Sequence, residues 1–333
     1  MKAAFIPESH RPYVPGTRLH QGMGSIVRGL HTGIKQSVVI ISAKEDVVPD
    51  AFLKEVSAED LIHRLYYDDL GTLWDFTYHQ AVLKIFLFDV VLIPRSIYHR
   101  HPGVSENHPY YHRHIAFFEV LDLWPGNLIG QKRHHYHNTS KAYQAITSIY
   151  QARQQGGHVT IKYPHSFFVK GNFDLQDCFK MDMVVKSCSN MRSRVASKEE
   201  FIHWEHKNLS NLPTLFQEKI EGMDIRVHLC RDNFWTLLVK SKDCTDYRYA
   251  SKGTILYEEI VLPRDVMAFC SRLAQVEENQ FIGIDLMQMG ETFFCLESNP
   301  GPGWSTFNHL SKRAFAQIIL NELAKISEIK EDL

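Results

Sequence analysis

The chain has 333 residues, long enough for two domains or one large one with a sizeable core. Its hydrophobic content of 44% and charged content of 23% are ordinary for a globular protein. Lys plus Arg at 37 against Asp plus Glu at 38 leaves a formal net charge of −1, which excludes a general attraction to nucleic acid or anionic membrane, so an anionic ligand must meet a local cluster of basic residues.

The N-terminal "MKAAFIPESHRPYVPG" has no apolar h-region, so no signal peptide is expected. "SVVIIS" (Ser37–Ser42) and "FDVVLIPR" (Phe88–Arg95) read as strands, rich in Val and Ile and bounded by polar residues. Between them, "SAEDLIHRLYYDDLGTLW" begins with a capping residue and carries apolar positions at helical spacing, which predicts a helix and a βαβ-like first domain. The apolar stretch "AVLKIFLFDVVLIP" is interrupted by Lys84 and Asp89 and is too short to span a bilayer. A cytoplasmic protein is therefore expected. Residues Ser96 to His114, with two prolines, read as a long polar loop.

"NTSKAYQAITSIYQARQQGG" predicts a helix capped near Asn138 or Thr139 and closed by Gly156 and Gly157. "DMVVKS" (Asp182–Ser187) is a strand ending in lysine, followed by the polar loop "SCSNMRSRV" with Arg192 and Arg194. "SKEEFIHWEHKNL" starts a further helix with Ser and Glu suitably spaced. The strands "TLFQEKI", "DIRVHLC" and "FWTLLVKS" follow, the last two joined by the turn "RDN". "PRDVMAFCSRLAQVEE" is a helix with proline at its start, then comes the hairpin-like pair "FIGIDLMQM" and "TFFCLESN", and a helix from about Ser311.

The chemistry concentrates near the end. In "CLESNPGPGW" (Cys295–Trp304), Glu297 and Asn299 lie two apart, hence on one face of a strand. A buried carboxylate needs a partner or a metal. Asp285, on the preceding strand, faces Glu297 only if the hairpin is centred on Glu291, which requires a three-residue loop or a bulge beside Gly290. In that register Asp285, Glu297 and Asn299 converge, and three oxygen donors without sulfur or imidazole suit Mg²⁺. The plain alternative is a set of polar residues at a hairpin end. Lys186, at a strand mouth beside hydroxyls and arginines, can hold phosphate as a point charge, although most strand-end lysines are merely solvated. "FQEKIEGMDIRV" places Gln217 and Glu218 before a turn at Gly222, then Asp224 and Arg226 on one face. Such a turn can line an adenine pocket with backbone groups, with the charged residues toward ribose and phosphates; it can equally be a hairpin with a surface Asp–Arg pair.

Taken in order, "TSK", "MVVKS", "LFQEKIEGMDIRV", "DYRYASKG", "IGIDLM" and "CLESNPGPGW" resemble the ATP-grasp ligases, over roughly residues 130–310. The resemblance is closest to the branch of ribosomal-protein glutamate ligases, glutathione synthetases and microviridin-type peptide macrocyclases. It implies an α+β fold, with two subdomains gripping ATP (about 131–213 and 214–333) behind an α/β N-terminal domain (1–130) on the substrate side. By the same resemblance, Asp285, Glu297 and Asn299 correspond to Mg²⁺ ligands and Lys141 and Lys186 to phosphate-binding lysines. Gln217, Glu218, Ile220 and Asp224 correspond to the nucleotide segment, and Arg226 and Arg248 to the arginines facing the transferred phosphoryl group. The implied reaction activates a carboxylate as an acylphosphate, which an amine attacks to give an amide. "SCSNMRSRV" departs from the family, whose loop there is often glycine-rich. In the N-terminal third only Arg95, ending a strand, is a candidate substrate contact.

The implied partners are ATP, Mg²⁺ and a peptide or amino-acid substrate with a carboxylate and an amine or hydroxyl acceptor; nucleic acid and membrane are not expected, and a homodimer is allowed. A non-catalytic ATP-binding or scaffold protein of the same fold is the alternative. The six cysteines, Cys178, Cys188, Cys230, Cys244, Cys270 and Cys295, form no CxxC pair, which argues against a zinc ribbon. Of 19 histidines, the clusters His99/His101, His108, His112/His114 and His134/His135/His137 match no standard zinc spacing and are read as a solvated or substrate-facing loop.

Overall fold

The run Val39–Ile41 offers no polar position to solvent, and it becomes a strand covered on both faces. The structure, a computed structural model, describes residues 35–56, 62–67, 74–77, 80–87, 90–100, 111–130, 141–154, 161–169, 182–187, 193–196, 214–241, 255–305, 307 and 309–325. Strand β1 (Lys35–Ser42) leads through α1 (Val47–Glu55) to β2 (Ile62–Tyr66), parallel to β1. β3 (Trp74–Thr77), β4 (Val82–Leu87) and β5 (Val90–His99) pair antiparallel in succession, and β5 also runs parallel to β1. After α2 (Tyr111–Leu123), β6 (Asn127–Gly130) adds parallel to the end of β5, completing a six-stranded sheet. Alternation sends Val39 and Ile41 to one face, with Ile97, Phe117 and Phe118, and Ile40 to the other, with Phe52 and Tyr98.

Next, α3 (Lys141–Tyr143), a π-helical turn (Gln144–Ser148) and α4 (Ile149–Gln154) run on as one helix. A two-residue strand, β7 (Ile161–Lys162), precedes a four-stranded antiparallel sheet of β8 (Ser166–Val169), β9 (Met183–Ser187), β10 (Ser193–Ala196) and β11 (Thr214–Glu218), in the order β10-β9-β11-β8. The third sheet contains β12 (Met223–Cys230), β13 (Asn233–Ser241), β14 (Ile255–Glu259), β15 (Phe281–Met289) and β16 (Thr292–Pro300), with β7 on its outer edge, in the order β14-β13-β12-β15-β16-β7. One face packs on α4 and α5 (Arg264–Val276), whose Val266, Phe269, Cys270 and Leu273 form the buried stripe expected of an amphipathic helix. The last helix, α6 (His309–Ala324), sits where the first and third sheets meet, in a core shared by Tyr98, Phe281, Trp304 and Phe315. Its final carbonyls are taken up by the first sheet: Ser96 Oγ donates to Leu323 O (2.6 Å) and Asn127 Nδ2 to Glu322 O (2.7 Å).

Several expectations are corrected. The segment 57–74, read as a helix, contains β2 and the start of β3. Ile62 and Leu65 have helical spacing, but pairing with the central strand β1 overrides it, and the helix lies earlier, at α1, where the Asp46 carboxylate accepts from the Val48 N–H (3.0 Å). Of the loop expected over 96–114, residues 96–99 are the buried end of β5 and residues 111–114 begin a helix, while 101–110 lie outside the described residues. His99 and His114 are buried rather than solvated, packed around the Tyr67 ring, and Tyr67 hydrogen-bonds His99 Nε2. Arg95 does not end its strand; it is the extra residue of a bulge in mid-β5, between Pro94 opposite Ser37 and Ser96 opposite Val38. "SCSNMRSRV" is not all loop, since β10 begins at Ser193 and pairs with β9. Residues 214–218 belong to the small sheet, so the chain crosses to the third sheet at 219–222 rather than at 213. The helix expected in "SKEEFIHWEHKNL" and the cap at Asn138 or Thr139 lie outside the described residues. Among the described residues, no helix is long and apolar enough to cross a membrane.

Candidate functional site

Antiparallel pairing of β15 and β16 begins at a two-residue turn, Gly290–Glu291, with Met289 opposite Thr292 and Gly290 at φ +60°. From there to Leu286 opposite Cys295 the ladder is regular. Leu296 is then an extra residue, and beyond it Asp285 stands opposite Glu297 and Gly283 opposite Asn299. Of the two devices that permit this register, the hairpin uses the bulge. A bulge changes which face each following residue occupies. Cys295 lies in the core against α5; without the bulge Glu297 would follow it there, and with it Glu297 and Asn299 share the face of Asp285.

On β12, Arg226 is the direct neighbour of Asp285, so Arg226, Asp285 and Glu297 form one row across three strands. The Arg226 guanidinium forms an ion pair and hydrogen bond with Asp285. Gly283 makes the row possible: a Cβ there would lie 2.5 Å from Pro302 Cβ and 2.9 Å from an Arg226 terminal nitrogen.

Two lysines from different elements meet Glu297. Lys141 Nζ, at the start of α3, donates to Glu297 Oε2 (2.7 Å), and Lys186 Nζ, from β9 of the small sheet, lies 3.9 Å from the same oxygen. Lys186 also donates to Gln217 Oε1 (2.8 Å) on the adjacent β11, and both are buried. Asn299 Nδ2 lies 3.4 Å from Glu297 Oε1. A buried lysine and a buried glutamate are tolerable only as partners of this kind.

The segment joining the two sheets follows directly. The Glu218 N–H donates to His165 O (2.7 Å) and its carboxylate accepts from the His165 N–H (3.2 Å), while the Lys219 N–H donates to Asp182 O (3.0 Å). Ile220 is buried with Met287 and Phe294. Asp224 is half-buried at the start of β12. The structure thus brings together Lys141, Lys186, Gln217, Arg226, Asp285, Glu297 and Asn299. Arg95 lies apart in the first sheet, half-buried. Arg248 and Arg192 lie outside the described residues, as does the side chain of Arg194.

Other groups at the site were not signalled by any motif. Gln144, three residues after Lys141, donates from Nε2 to Ser298 O (2.6 Å) and accepts the Ser298 N–H at Oε1 (3.2 Å). Ser298 Oγ donates to Glu277 Oε1 (2.5 Å) at the end of α5, and burial raises the Glu277 carboxyl to about 7 against the opposing hydrogen bonds of Ser298 and Ser148. Burial likewise pushes Tyr163, beside Ser166, Gln217 and Glu297, to about 12. His228, two residues beyond Arg226, is held well below the usual imidazole range by burial and by the Arg226 charge, and its Nε2 lies 3.3 Å from Gly303 O. Arg100 donates to Gly301 O (3.0 Å) and Pro302 O (3.1 Å) while paired with Asp46, tying the end of the first sheet to the Pro-Gly turn after Asn299. The one signal within reach of sequence was the three-residue spacing of Lys141 and Gln144, which puts both on one helix face.

Metal fit rests on donor chemistry. Among the described residues no group of three His, Cys, Asp or Glu is arranged for a metal. Asp285 and Glu297 supply adjacent carboxylates and Asn299 a carboxamide oxygen, an all-oxygen set that fits Mg²⁺ rather than zinc.

No family model and no curated protein matches the sequence. Solved structures do match by shape. The ATP-grasp ligase PsnB, complexed with minimal precursor, superposes with a TM-score of 0.64 at 16% identity, covering 86% of this chain and 100% of that one. The macrocyclase MdnC from Microcystis aeruginosa MRC, bound with precursor peptide MdnA, gives 0.61 at 16% identity, covering 85% and 99%. D-alanine–D-alanine ligase from Bacillus anthracis gives 0.58 at 14% identity, covering 88% and 97%. With a small antiparallel sheet hinged to a larger one, and charged groups from both meeting at Glu297, the chain has the ATP-grasp fold.

Proposed function

We propose that the protein is an ATP-dependent carboxylate–amine ligase. One observation carries the reading: lysines from two separate elements converge on Glu297, next to an Arg226–Asp285 pair, at the junction of two sheets. Lys141 and Lys186 pair with Glu297 and Arg226 with Asp285, so cations and carboxylates balance at this spot. The same charges, parted, suit a triphosphate on one side and Mg²⁺ on the other. Lys141 and Lys186 hold phosphate oxygens, with Gln217 fixing the Lys186 ammonium. The segment Glu218–Ile220 takes the base, and Asp224 faces the ribose. Asp285, Glu297 and Asn299 would hold Mg²⁺, whose charge offsets that of the transferring phosphoryl group.

The substrate carboxylate attacks the γ-phosphorus and ADP leaves; an amine then attacks the acyl carbon, phosphate leaves and the amine loses a proton. Arg226 and Arg248 stabilise the charge on the transferred group, and Arg95 meets the substrate. No side-chain nucleophile is needed, since positioning and electrostatics supply the catalysis. A peptide substrate is favoured because PsnB and MdnC are recorded with precursor peptides, whereas an amino-acid substrate corresponds to the D-alanine ligase. The test is ADP release with ATP and Mg²⁺, with and without candidate peptides or amino acids, and mass spectrometry for loss of water per bond formed. Acceptor-dependent ADP release that disappears in Glu297→Gln supports the reading. Tight ATP binding with no turnover under any acceptor would leave the scaffold alternative.

A further inference from the structure

β16 is paired with β15 on both sides of the bulge at Leu296, but on its outer edge β7 covers only Phe293 and Phe294. The backbone groups of Ser298 would otherwise stand at an open, buried edge, which is costly. The Gln144 side chain fills that place, its carboxamide donating to Ser298 O (2.6 Å) and accepting the Ser298 N–H (3.2 Å). A carboxamide has the donor and acceptor of a peptide group. Gln144 therefore acts as one rung of a missing strand.

Ser298 lies between Glu297 and Asn299, and its own hydroxyl is held from the core side by Glu277. With its backbone and side chain both fixed, the flanking side chains project to the opposite face at set angles. Gln144 also opens the π-helical turn, the Ile149 N–H bonding to its carbonyl, and a π-turn often marks a functional position. One turn earlier, Lys141 reaches Glu297 itself.

We infer that Gln144 is a positioning residue for the acidic edge: its carboxamide clamps the backbone of Ser298 and so aims Glu297 and Asn299 at the metal. The inference rests on the proposed reading of those two residues as metal ligands. It also ties the phosphate lysine and the metal edge to a single helix, so nucleotide contacts at Lys141 bear on metal geometry.

The test compares wild type with Gln144→Met, which keeps length and volume but removes both hydrogen bonds. Amide hydrogen exchange at Ser298 is read without ligand, and Mn²⁺ affinity is read by electron paramagnetic resonance with a non-hydrolysable ATP analogue. Exchange should accelerate selectively at Ser298, and Mn²⁺ affinity should fall about ten- to a hundredfold, the usual cost of losing an outer-shell partner. The affinity for the analogue without metal should change little, and the thermal midpoint should fall modestly because two buried backbone groups lose their partner. If Gln144→Met does not fold, Gln144→Glu serves: its carboxylate still accepts the Ser298 N–H but cannot donate to Ser298 O, and the Mn²⁺ loss should again appear. Unchanged Ser298 exchange, or faster exchange with wild-type Mn²⁺ affinity, overturns the inference. A wild-type protein that binds no Mn²⁺ with the analogue overturns the metal reading instead, while the exchange comparison still decides the clamp.

Discussion

Glu277 is a buried carboxyl that burial raises to about 7 from its ordinary 4.5, against the hydrogen bonds of the Ser298 and Ser148 hydroxyls. Between those values the folded protein holds a proton that the unfolded chain has released. Stability from this group is therefore full below about pH 4.5, falls as pH rises, and levels off above about pH 7. At 1.36 kcal/mol per pKa unit, the loss is of order 3 kcal/mol. Glu277→Gln cannot ionise, and its side-chain oxygen can still accept from Ser298. Urea unfolding of both proteins at pH 5, 6, 7 and 8 measures the difference. The variant should match wild type near pH 5 and become more stable by a few kcal/mol at pH 8. Parallel pH profiles for the two proteins would show that Glu277 is already ionised in the fold, and would refute the reasoning.

Lys186→Ala should weaken ATP binding in a calorimetric titration by about ten- to a hundredfold, a charged hydrogen bond being worth roughly 1.5–3 kcal/mol; unchanged affinity would remove Lys186 from the phosphate site. Arg226→Ala and Arg248→Ala should each cut ligation severely in single-turnover assays while nucleotide affinity stays largely intact. For Arg226, restoring Asp285→Asn alongside should recover stability lost by leaving Asp285 without its cation, but not ligation. Arg95→Ala should raise the substrate KM with kcat unchanged, and a wild-type KM would take Arg95 out of the substrate site.

The third sheet was legible because its strands carry their own punctuation: Arg231-Asp232 and Gly290-Glu291 end apolar runs of strand length. The Asp285–Glu297 register was legible too, since only one offset brings the two carboxylates together. The first sheet was harder. Ile62 and Leu65 satisfy a helical period as well as a half-buried parallel strand, and only contact with β1 decides between them. His99 and His114 look solvated among prolines and polar residues, yet the Tyr67 and Phe118 rings enclose them. The roles of Gln144 and Glu277 were hidden, apart from the spacing of Gln144 from Lys141, because both act on the backbone or hydroxyl of Ser298, more than a hundred residues from one of them, and no local pattern records such a contact.

The bulge at Leu296 makes the spacing of the acidic edge a question of parity. Removing Leu296 would give an unbulged ladder in which Asp285 still faces Glu297, whereas removing one residue while the bulge stays would turn Glu297 and Asn299 into the apolar core and bring Ser298 round to the ligand side. Removing or adding two would preserve the faces and alter only the hairpin's reach. Chains of this shape can therefore vary the length of the β15–β16 hairpin in steps of two at little cost to the site, whereas an odd change keeps the faces only by losing this bulge or gaining a second one.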